Sequence, residues 1–213
     1  MPTLQVLYGG TFDPVHLGHL AVARHARDAL DAGVALMPAR DPPHRGPTRA
    51  DARARTDMLR LALQGEPRLS VDTRELERDG PSYTVDTLHA LRAQAGADAP
   101  WAILLGGDSL RTLDRWHRWR ELFTLAHVVV AQRAPGEGEP SLPPDVAREV
   151  RVRLATDPRA LHDAPAGRVF ALEQPLFPHS ATQVRRHIAQ GLPWRDLVPP
   201  AVADYIVRHG LYA

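Results

Sequence analysis

Two histidines three residues apart follow a pair of glycines near the start of the sequence. Gly9 and Gly10 come directly after residues 4–8, a run of strand formers, and His16 and His19 lie where helical spacing begins. Glycines let the backbone approach an anion closely, and free N–H groups at a helix start carry partial positive charge. Imidazoles at i and i+3 near a helix entrance can point to one side. The pattern predicts a strand, a glycine turn and a helix start that bind phosphate.

The spacing of this first loop separates it from two other phosphate-binding motifs. It matches neither a Walker A loop nor the dinucleotide-binding fingerprint. Gly18, which lies between the two histidines, is expected to leave room above the imidazoles. Two other interpretations stay open at this point. The loop could be a structural turn with two surface histidines, or the histidines could be metal ligands, although no third ligand has an obvious spacing to them.

Two further loops follow predicted strands and carry groups that can bind a ligand. Residues 33–37 form one predicted strand, and the proline-rich loop after it contains His44 and Arg45. Residues 101–106 form the clearest buried strand, and Asp108 follows in a glycine turn. Ligands bind α/β sheets beyond the carboxyl ends of the strands. A solvated loop is an equal alternative for His44 and Arg45, and a helix cap is the alternative for Asp108.

Hydroxyls and arginines cluster at the start of a helix late in the sequence. This helix is predicted within residues 178–190, with Ser180 and Thr182 as caps and Arg185 and Arg186 one turn further on. Such a helix start can form a second anion site. Successive helical residues point about 100° apart, so only one of the two arginines is expected to face that site.

Short apolar runs alternate with amphipathic segments along the chain. The predicted strands are residues 4–8, 33–37, 69–72, 101–106, 126–131 and 168–172, and the predicted helices are residues 20–30, 50–63, 85–95, 178–190 and 198–208. Residues 146–154 fit either a helix or a strand. The alternation predicts an α/β protein with a Rossmann-like, doubly wound parallel sheet. We expect one domain over residues 1–213, with helices at its C-terminal end.

The composition limits the classes of protein to which the chain can belong. Its 213 residues are 44% hydrophobic and 24% charged, as in ordinary globular proteins. A net charge of +1 argues against a nucleic-acid binder that neutralises many phosphates. Cysteine is absent, which excludes disulfides and thiolate catalysis, and all 26 basic residues are arginines. We find no signal peptide and no apolar stretch of membrane-spanning length, so a cytoplasmic enzyme or binding protein is expected.

The motifs resemble those of a known family. GGTFDPVHLGHL at residues 9–20 is similar to the signature of the HxGH nucleotidyltransferase superfamily, and the whole segment resembles that of its bacterial nicotinate-nucleotide adenylyltransferases. Shorter resemblances occur at residues 42–44, 82–84, 106–110 and 180–185. Three positions depart from the family pattern: Arg45 replaces a lysine, and His179 and Ala181 replace an isoleucine and a serine of the late helix motif.

The resemblance implies adenylyl transfer from ATP to nicotinate mononucleotide, with deamido-NAD and pyrophosphate as products. The acceptor phosphate is ionised at neutral pH, so no general base is needed. Mg²⁺ is expected to accompany ATP, with no metal ligand from protein side chains. The catalytic residues implied are His16, His19 and Arg185. The ATP-binding residues implied are Gly9, Gly10, Thr11, Phe12, His16, His19, Ser180, Thr182 and Arg185.

The resemblance also implies a set of residues for the acceptor nucleotide, nicotinate mononucleotide. These are His44, Arg45, Thr84, Asp108, Trp116 and His117. Trp116 is expected to stack on the pyridine ring, whereas Trp119 is expected to pack in the core. ATP and nicotinate mononucleotide are the expected partners, without nucleic acid or membrane. Two other functions stay open: transfer to another acceptor, such as pantetheine phosphate or nicotinamide mononucleotide, and non-catalytic nucleotide sensing.

Overall fold

The computed structural model describes residues 3–40, 48–78, 80, 82–132, 142–173, 177 and 179–213. Its strands are β1 (Gln5–Gly10), β2 (Gly33–Pro38), β3 (Leu69–Val71), β4 (Trp101–Gly106), β5 (His127–Gln132), β6 (Leu154–Ala155) and β7 (Val169–Glu173). Its α-helices are α1 (Leu17–Ala29), α2 (Ala52–Ala62), α3 (Arg74–Glu77), α4 (Thr84–Ala95), α5 (Gly107–Arg111), α6 (Leu122–Leu125), α7 (Pro144–Arg153), α8 (Ala181–Ala189) and α9 (Pro200–Arg208).

The described strands form one parallel sheet in the order β3-β2-β1-β4-β5-β7-β6. From β1 the chain builds outward through β2 and β3, and it then crosses to the other side of β1 to add β4 and β5. The strand order therefore reverses between β1 and β4. In such sheets the ligand crevice lies at this reversal, beyond the carboxyl ends of the strands. The predicted Rossmann-like, doubly wound fold is confirmed.

Helices cover both faces of the sheet and form two apolar clusters. Along β1, Val6 belongs to one cluster and Leu7 to the other, because successive side chains of a strand point to opposite faces. The first cluster includes Leu20 of α1, with further residues from α2, α8 and α9. The second includes Leu88 of α4, with residues from α5, α6 and α7. Burial on both faces explains why the strands are continuous apolar runs in the sequence.

The predicted elements are found, with differences at their ends. Helix α1 begins at Leu17 rather than at residue 20, because His16 has an extended backbone and takes the N-cap position. Most of residues 146–154 belong to α7, and β6 begins at Leu154. Gly191 follows α8 with a φ of +65°, the left-handed conformation that ends many helices.

Candidate active site

The turn after β1 is shaped by the ring of Phe12. This residue has a φ of +47° and its side chain is buried. A Cβ at Gly10 would lie 3.0 Å from the ring, so the glycine is needed for the ring to pack there. A Cβ at Gly9 would meet nothing within 4 Å, and Gly9 is exposed at the strand end. Gly10 therefore makes room for Phe12, whereas Gly9 leaves open backbone where a ligand can approach.

The two signature histidines form a stacked pair at the start of α1. Their ring centroids are 3.7 Å apart at an interplanar angle of 27°. The main-chain N–H of His16 donates to Nδ1 of His19 at 3.3 Å, so the neutral His19 ring carries its proton on Nε2. Phe12 and Tyr8 contact His19 edge-on, at centroid distances of 4.9 and 6.2 Å. The His19 ring is thereby oriented by the loop that precedes it.

Burial keeps both imidazoles neutral. It lowers the pKa of His16 to about 4, and repulsion from His179 acts in the same direction. Burial and the neighbouring His16 lower the pKa of His19 well below its ordinary value. His16 is only 5% exposed, and its Nδ1 has no hydrogen-bond partner among the described residues. The interpretation as two surface histidines is therefore wrong for His16, and the pair offers neutral donors to a ligand.

Gly18 has the role predicted for it beside His16. A Cβ at this position would lie 3.0 Å from the His16 imidazole and 3.4 Å from the main-chain oxygen of His179. The absence of a side chain at Gly18 thus lets α1 approach the segment before α8. The first loop and the late helix motif, which are more than 150 residues apart, meet at this glycine.

The start of α8 carries the predicted cap and the predicted arginine. Ser180 is the N-cap, and its Oγ accepts from the main-chain N–H of Gln183 at 3.1 Å. Arg185 is half-buried and donates to Oγ1 of Thr182 at 3.2 Å, whereas Arg186 is exposed. The two arginines therefore point in different directions, and Arg185 is the one on the side of the first loop.

Arg185 also joins α8 to the first loop through Asp13. Its guanidinium donates to the main-chain oxygen of Asp13 at 2.6 Å. The buried Asp13 carboxylate accepts from the main-chain N–H groups of Arg49 at 2.8 Å and Ala50 at 3.1 Å, and from the hydroxyl of Tyr212 at 2.7 Å. The sequence analysis assigned no role to Asp13 or Tyr212. The sequence offered one signal for Asp13, namely a carboxylate in a motif whose other residues suit an anion-binding loop.

A second residue missed from the sequence is Arg55 of α2. Its side chain is fully buried, and its guanidinium donates to the main-chain oxygens of Thr11 and Ala39, each at 2.8 Å. The carbonyls at the ends of β1 and β2 are thereby tied to one cation. A buried charge is stable only where such hydrogen bonds are made. Arg55 therefore fixes the position of the first loop relative to the end of β2.

Four of the residues expected for the acceptor nucleotide, Thr84, Asp108, Trp116 and His117, belong to the segments that flank β4 in the chain. Thr84 is the first residue of α4, the N-cap is Tyr83, and no side-chain cap hydrogen bond forms. The rings of Tyr83 and His117 lie 4.5 Å apart. The segment that carries Thr84 is thus in contact with His117 through Tyr83.

The remaining members of this set differ in burial. Trp116 is half-buried against the second core cluster, and Trp119 is buried beside Phe123, as predicted for a packing residue. Asp108 is exposed within α5 and pairs with Arg111. Because α5 begins at Gly107 with Gly106 as N-cap, Asp108 is not the cap of this helix. His44 and Arg45 lie outside the described residues.

The described side chains supply anion-binding groups rather than a metal cage. Among them, no group of three or more histidines, aspartates or glutamates is placed to hold a metal ion. Within the same residues, no helix combines the length and the apolar character needed to cross a membrane.

Comparison with known proteins finds one consistent set of relatives. A cytidylyltransferase-like family model matches residues 7–187. A protein of Stenotrophomonas maltophilia (strain K279a) is 52% identical over all of this chain and 98% of its own length, and one of Laribacter hongkongensis (strain HLHK9) is 53% identical over 97% and 93%. Each is named "Probable nicotinate-nucleotide adenylyltransferase".

A solved structure shares the fold at low sequence identity. It is the nicotinic acid mononucleotide adenylyltransferase of Plasmodium falciparum complexed with NaAD, with a TM-score of 0.72 and 14% identity. The alignment covers 99% of this chain and 97% of the other. A second structure of that protein, complexed with APC, has a TM-score of 0.71. At this identity the likeness supports the fold alone.

Proposed function

This chain belongs to the nicotinate-nucleotide adenylyltransferases of the cytidylyltransferase-like family, and on that premise we propose that it transfers the adenylyl group of ATP to nicotinate mononucleotide. The products are deamido-NAD and pyrophosphate. The observation that carries the proposal is the neutral His16–His19 pair, held in a glycine loop that Arg185 of α8 contacts from the opposite side. Two hydrogen-bond donors and a guanidinium around one loop suit a polyphosphate.

The reaction needs no proton abstraction from the acceptor. The 5′-phosphate of nicotinate mononucleotide is ionised at neutral pH, and one of its oxygens attacks the α-phosphorus of ATP. A new phosphorus–oxygen bond forms while the bond from the α-phosphorus to the bridging oxygen breaks. Pyrophosphate leaves with that electron pair. Catalysis then consists of holding the reactants in line and stabilising the charge that develops on the phosphate oxygens.

The donor side of the crevice is assigned to the first loop and to α8. Backbone groups of Gly9, Gly10, Thr11 and Phe12 line the phosphates, and His16 and His19 donate to them. Ser180, Thr182 and Arg185 hold phosphate from the α8 side. Because both imidazoles are neutral at pH 7, they stabilise charge by directed hydrogen bonds, and Arg185 supplies the full positive charge.

The acceptor side is assigned to residues beyond β4 and before α4. Trp116 stacks on the pyridine ring, Thr84 and His117 lie beside it, and Asp108 holds ribose hydroxyls or neighbouring nucleotide groups. His44 and Arg45 meet the acceptor from the loop after β2. The contact between Tyr83 and His117 supports this assignment, because it joins the two segments that carry the proposed ligands.

A divalent cation fits this family, and we propose that it is Mg²⁺ bound to the phosphates of ATP. The carboxylate of Asp13 already accepts from three protein donors, so it is not free to act as a ligand. Mg²⁺ is commonly held by substrate phosphates and water rather than by an all-protein cage. When bound, the ion shields the phosphate charge. Residues 1–213 are proposed to form one domain that acts in the cytoplasm, where ATP is available.

An acceptor panel tests the proposed function. The protein is incubated with ATP and Mg²⁺ and with nicotinate mononucleotide, nicotinamide mononucleotide or pantetheine phosphate, and both pyrophosphate and the dinucleotide product are measured. We expect rapid pyrophosphate release with nicotinate mononucleotide. Turnover with pantetheine phosphate alone would identify a different transferase, and no turnover with any acceptor would identify a nucleotide sensor.

A further inference from the structure

Tyr212, which follows α9, contacts the first loop, which lies near the other end of the sequence. Its hydroxyl donates to Oδ1 of Asp13 at 2.7 Å, a contact between residues 199 positions apart. Tyr212 has a φ of +68°, a left-handed conformation that is unusual for an aromatic residue. Its ring is half-buried against the first core cluster. Packing and the hydrogen bond together hold the hydroxyl in this position.

Asp13 connects Tyr212 to the proposed catalytic machinery. The side chain of Asp13 is fixed by three donors, and its main-chain oxygen accepts from the guanidinium of Arg185. Asp13 also follows Phe12, whose ring contacts His19. A shift of Asp13 therefore displaces the main-chain oxygen that accepts from Arg185.

We propose that Tyr212 is a positioning residue, which holds Arg185 against the ATP phosphates through Asp13. The inference rests on the proposed function. Burial raises the pKa of Tyr212, and its hydrogen bond to Asp13 acts in the same direction. The hydroxyl therefore stays protonated and remains a donor throughout the neutral range. Without it, Oδ1 of Asp13 keeps only the N–H of Ala50, so the buried carboxylate loses one of its three donors and is held less firmly.

Tyr205 offers a matched control for the loss of a tyrosine hydroxyl. It lies in α9, packs partly buried against the same core cluster, and donates to a carboxylate oxygen of Asp57 at 3.4 Å. That carboxylate is on α2. Tyr205→Phe therefore removes a tyrosine–aspartate contact from the same region without touching Asp13 or Arg185.

The first experiment compares Tyr212→Phe with Tyr205→Phe in steady-state kinetics. We expect Tyr212→Phe to lower kcat and kcat/KM together by about tenfold, the pattern of an interaction that matters in the transition state. Tyr205→Phe is expected to keep both constants within about twofold of wild type. Thermal melts of both variants fix an assay temperature at which each is folded. Equal kinetic constants for the two variants would make the Tyr212 contact merely structural.

A double-mutant cycle with Arg185→Ala tests the route of the effect. If Tyr212 acts through Asp13 on Arg185, Tyr212→Phe changes kcat by less than about twofold when Arg185 is already alanine. A full tenfold loss in that background would overturn the inference. Failure of the proposed function is distinguishable, because wild type would then release no pyrophosphate with nicotinate mononucleotide. An active wild type with an equally active Tyr212→Phe defeats the positioning role alone.

Discussion

At the scale of single residues, the site depends on two histidines that burial keeps uncharged. Neutral imidazoles can donate to phosphate oxygens without a large cost when the site is empty, because no charge is buried. Their orientation is set by neighbours: Phe12 lies edge-on to His19, and Gly18 gives His16 its room. The two histidines proposed to be catalytic are therefore positioned by the ring of Phe12 and by the absence of a side chain at Gly18, neither of which supplies a catalytic group.

Replacing His19 by alanine is expected to impair turnover far more than folding. A donor aimed at developing charge contributes about 2.7–4 kcal/mol, so kcat should fall about 10²–10³-fold. The measurement is steady-state kinetics beside a thermal melt. His25→Ala is the control, because His25 lies on the same helix and bonds instead to the main-chain oxygen of Glu173 at 2.7 Å. A near wild-type kcat with a lowered melting temperature would make His19 a structural residue.

The lowered pKa of His16 predicts a loss of stability in mild acid. The unfolded chain takes up a proton near pH 6.5, whereas folded His16 stays neutral down to about pH 4. Stability linked to His16 is therefore present above pH 6.5 and is lost as the pH falls from 6.5 towards 4. The loss is on the order of 3 kcal/mol over this window.

Urea unfolding at several pH values between 7 and 4 tests this dependence on His16. The free energy of unfolding of His16→Gln should fall less steeply than that of wild type. Buried His127, whose pKa burial also lowers, contributes a similar slope to both proteins, so the difference between them reports His16 together with its effect on the stacked His19. Parallel curves for wild type and His16→Gln would show that His16 does not carry the proton linkage.

At the scale of elements, the site forms where the first loop and the start of α8 meet. Arg185 and Arg186 are adjacent on α8, yet one is half-buried at Asp13 and the other is exposed. Their difference therefore comes from helical geometry rather than from residue type, which makes the pair a matched comparison.

Arg185→Ala is expected to lower kcat by about 10²-fold, with Arg186→Ala within about twofold of wild type. A charge-assisted contact to the transferring phosphate is lost in the first variant alone. Arg185→Lys should recover part of the rate, because an ammonium cannot reproduce a bidentate guanidinium contact. Steady-state kinetics with ATP and nicotinate mononucleotide measure all three variants. Greater damage from Arg186→Ala would contradict the assigned register.

The sequence predicted elements and local motifs well, because these depend on short-range spacing. The alternation of apolar runs indicated the parallel sheet, and the motif match selected Arg185, which contacts the first loop. It could not predict Asp13, Arg55 or Tyr212, because their roles arise from contacts between segments that only the fold brings together. The start of α4 was predicted to within one residue, at residue 85 rather than at Thr84.

At the scale of the whole molecule, the strand reversal separates the proposed donor side of the crevice from the proposed acceptor side. The first loop follows β1 and is contacted by α8, whereas α4 and α5 flank β4 in the chain. In this proposal the acceptor side sets which pyridine nucleotide is accepted, and the triphosphate binds on the donor side.

This division predicts a preference for the nicotinate over the nicotinamide mononucleotide. A ring carboxylate only accepts hydrogen bonds and suits N–H groups at a helix start, whereas an amide also presents its own donors. We expect kcat/KM to favour the nicotinate form by about tenfold or more, measured with each acceptor at saturating ATP. KM for ATP should be similar with both. Equal kcat/KM for the two acceptors would remove the case for a carboxylate-selective acceptor side.

The contact between Tyr212 and Asp13 is also one that a newly synthesised chain can form only late. A chain growing from the ribosome makes β1, its loop and the two signature histidines first, but the partner of Asp13 is made 199 residues later. Closing so long a loop has an entropic cost, and it is offset only once α9 has packed onto α2. The nascent protein can therefore fold much of its sheet while its phosphate loop still lacks its last anchor. Newly made chains gain this contact only after synthesis has passed residue 212.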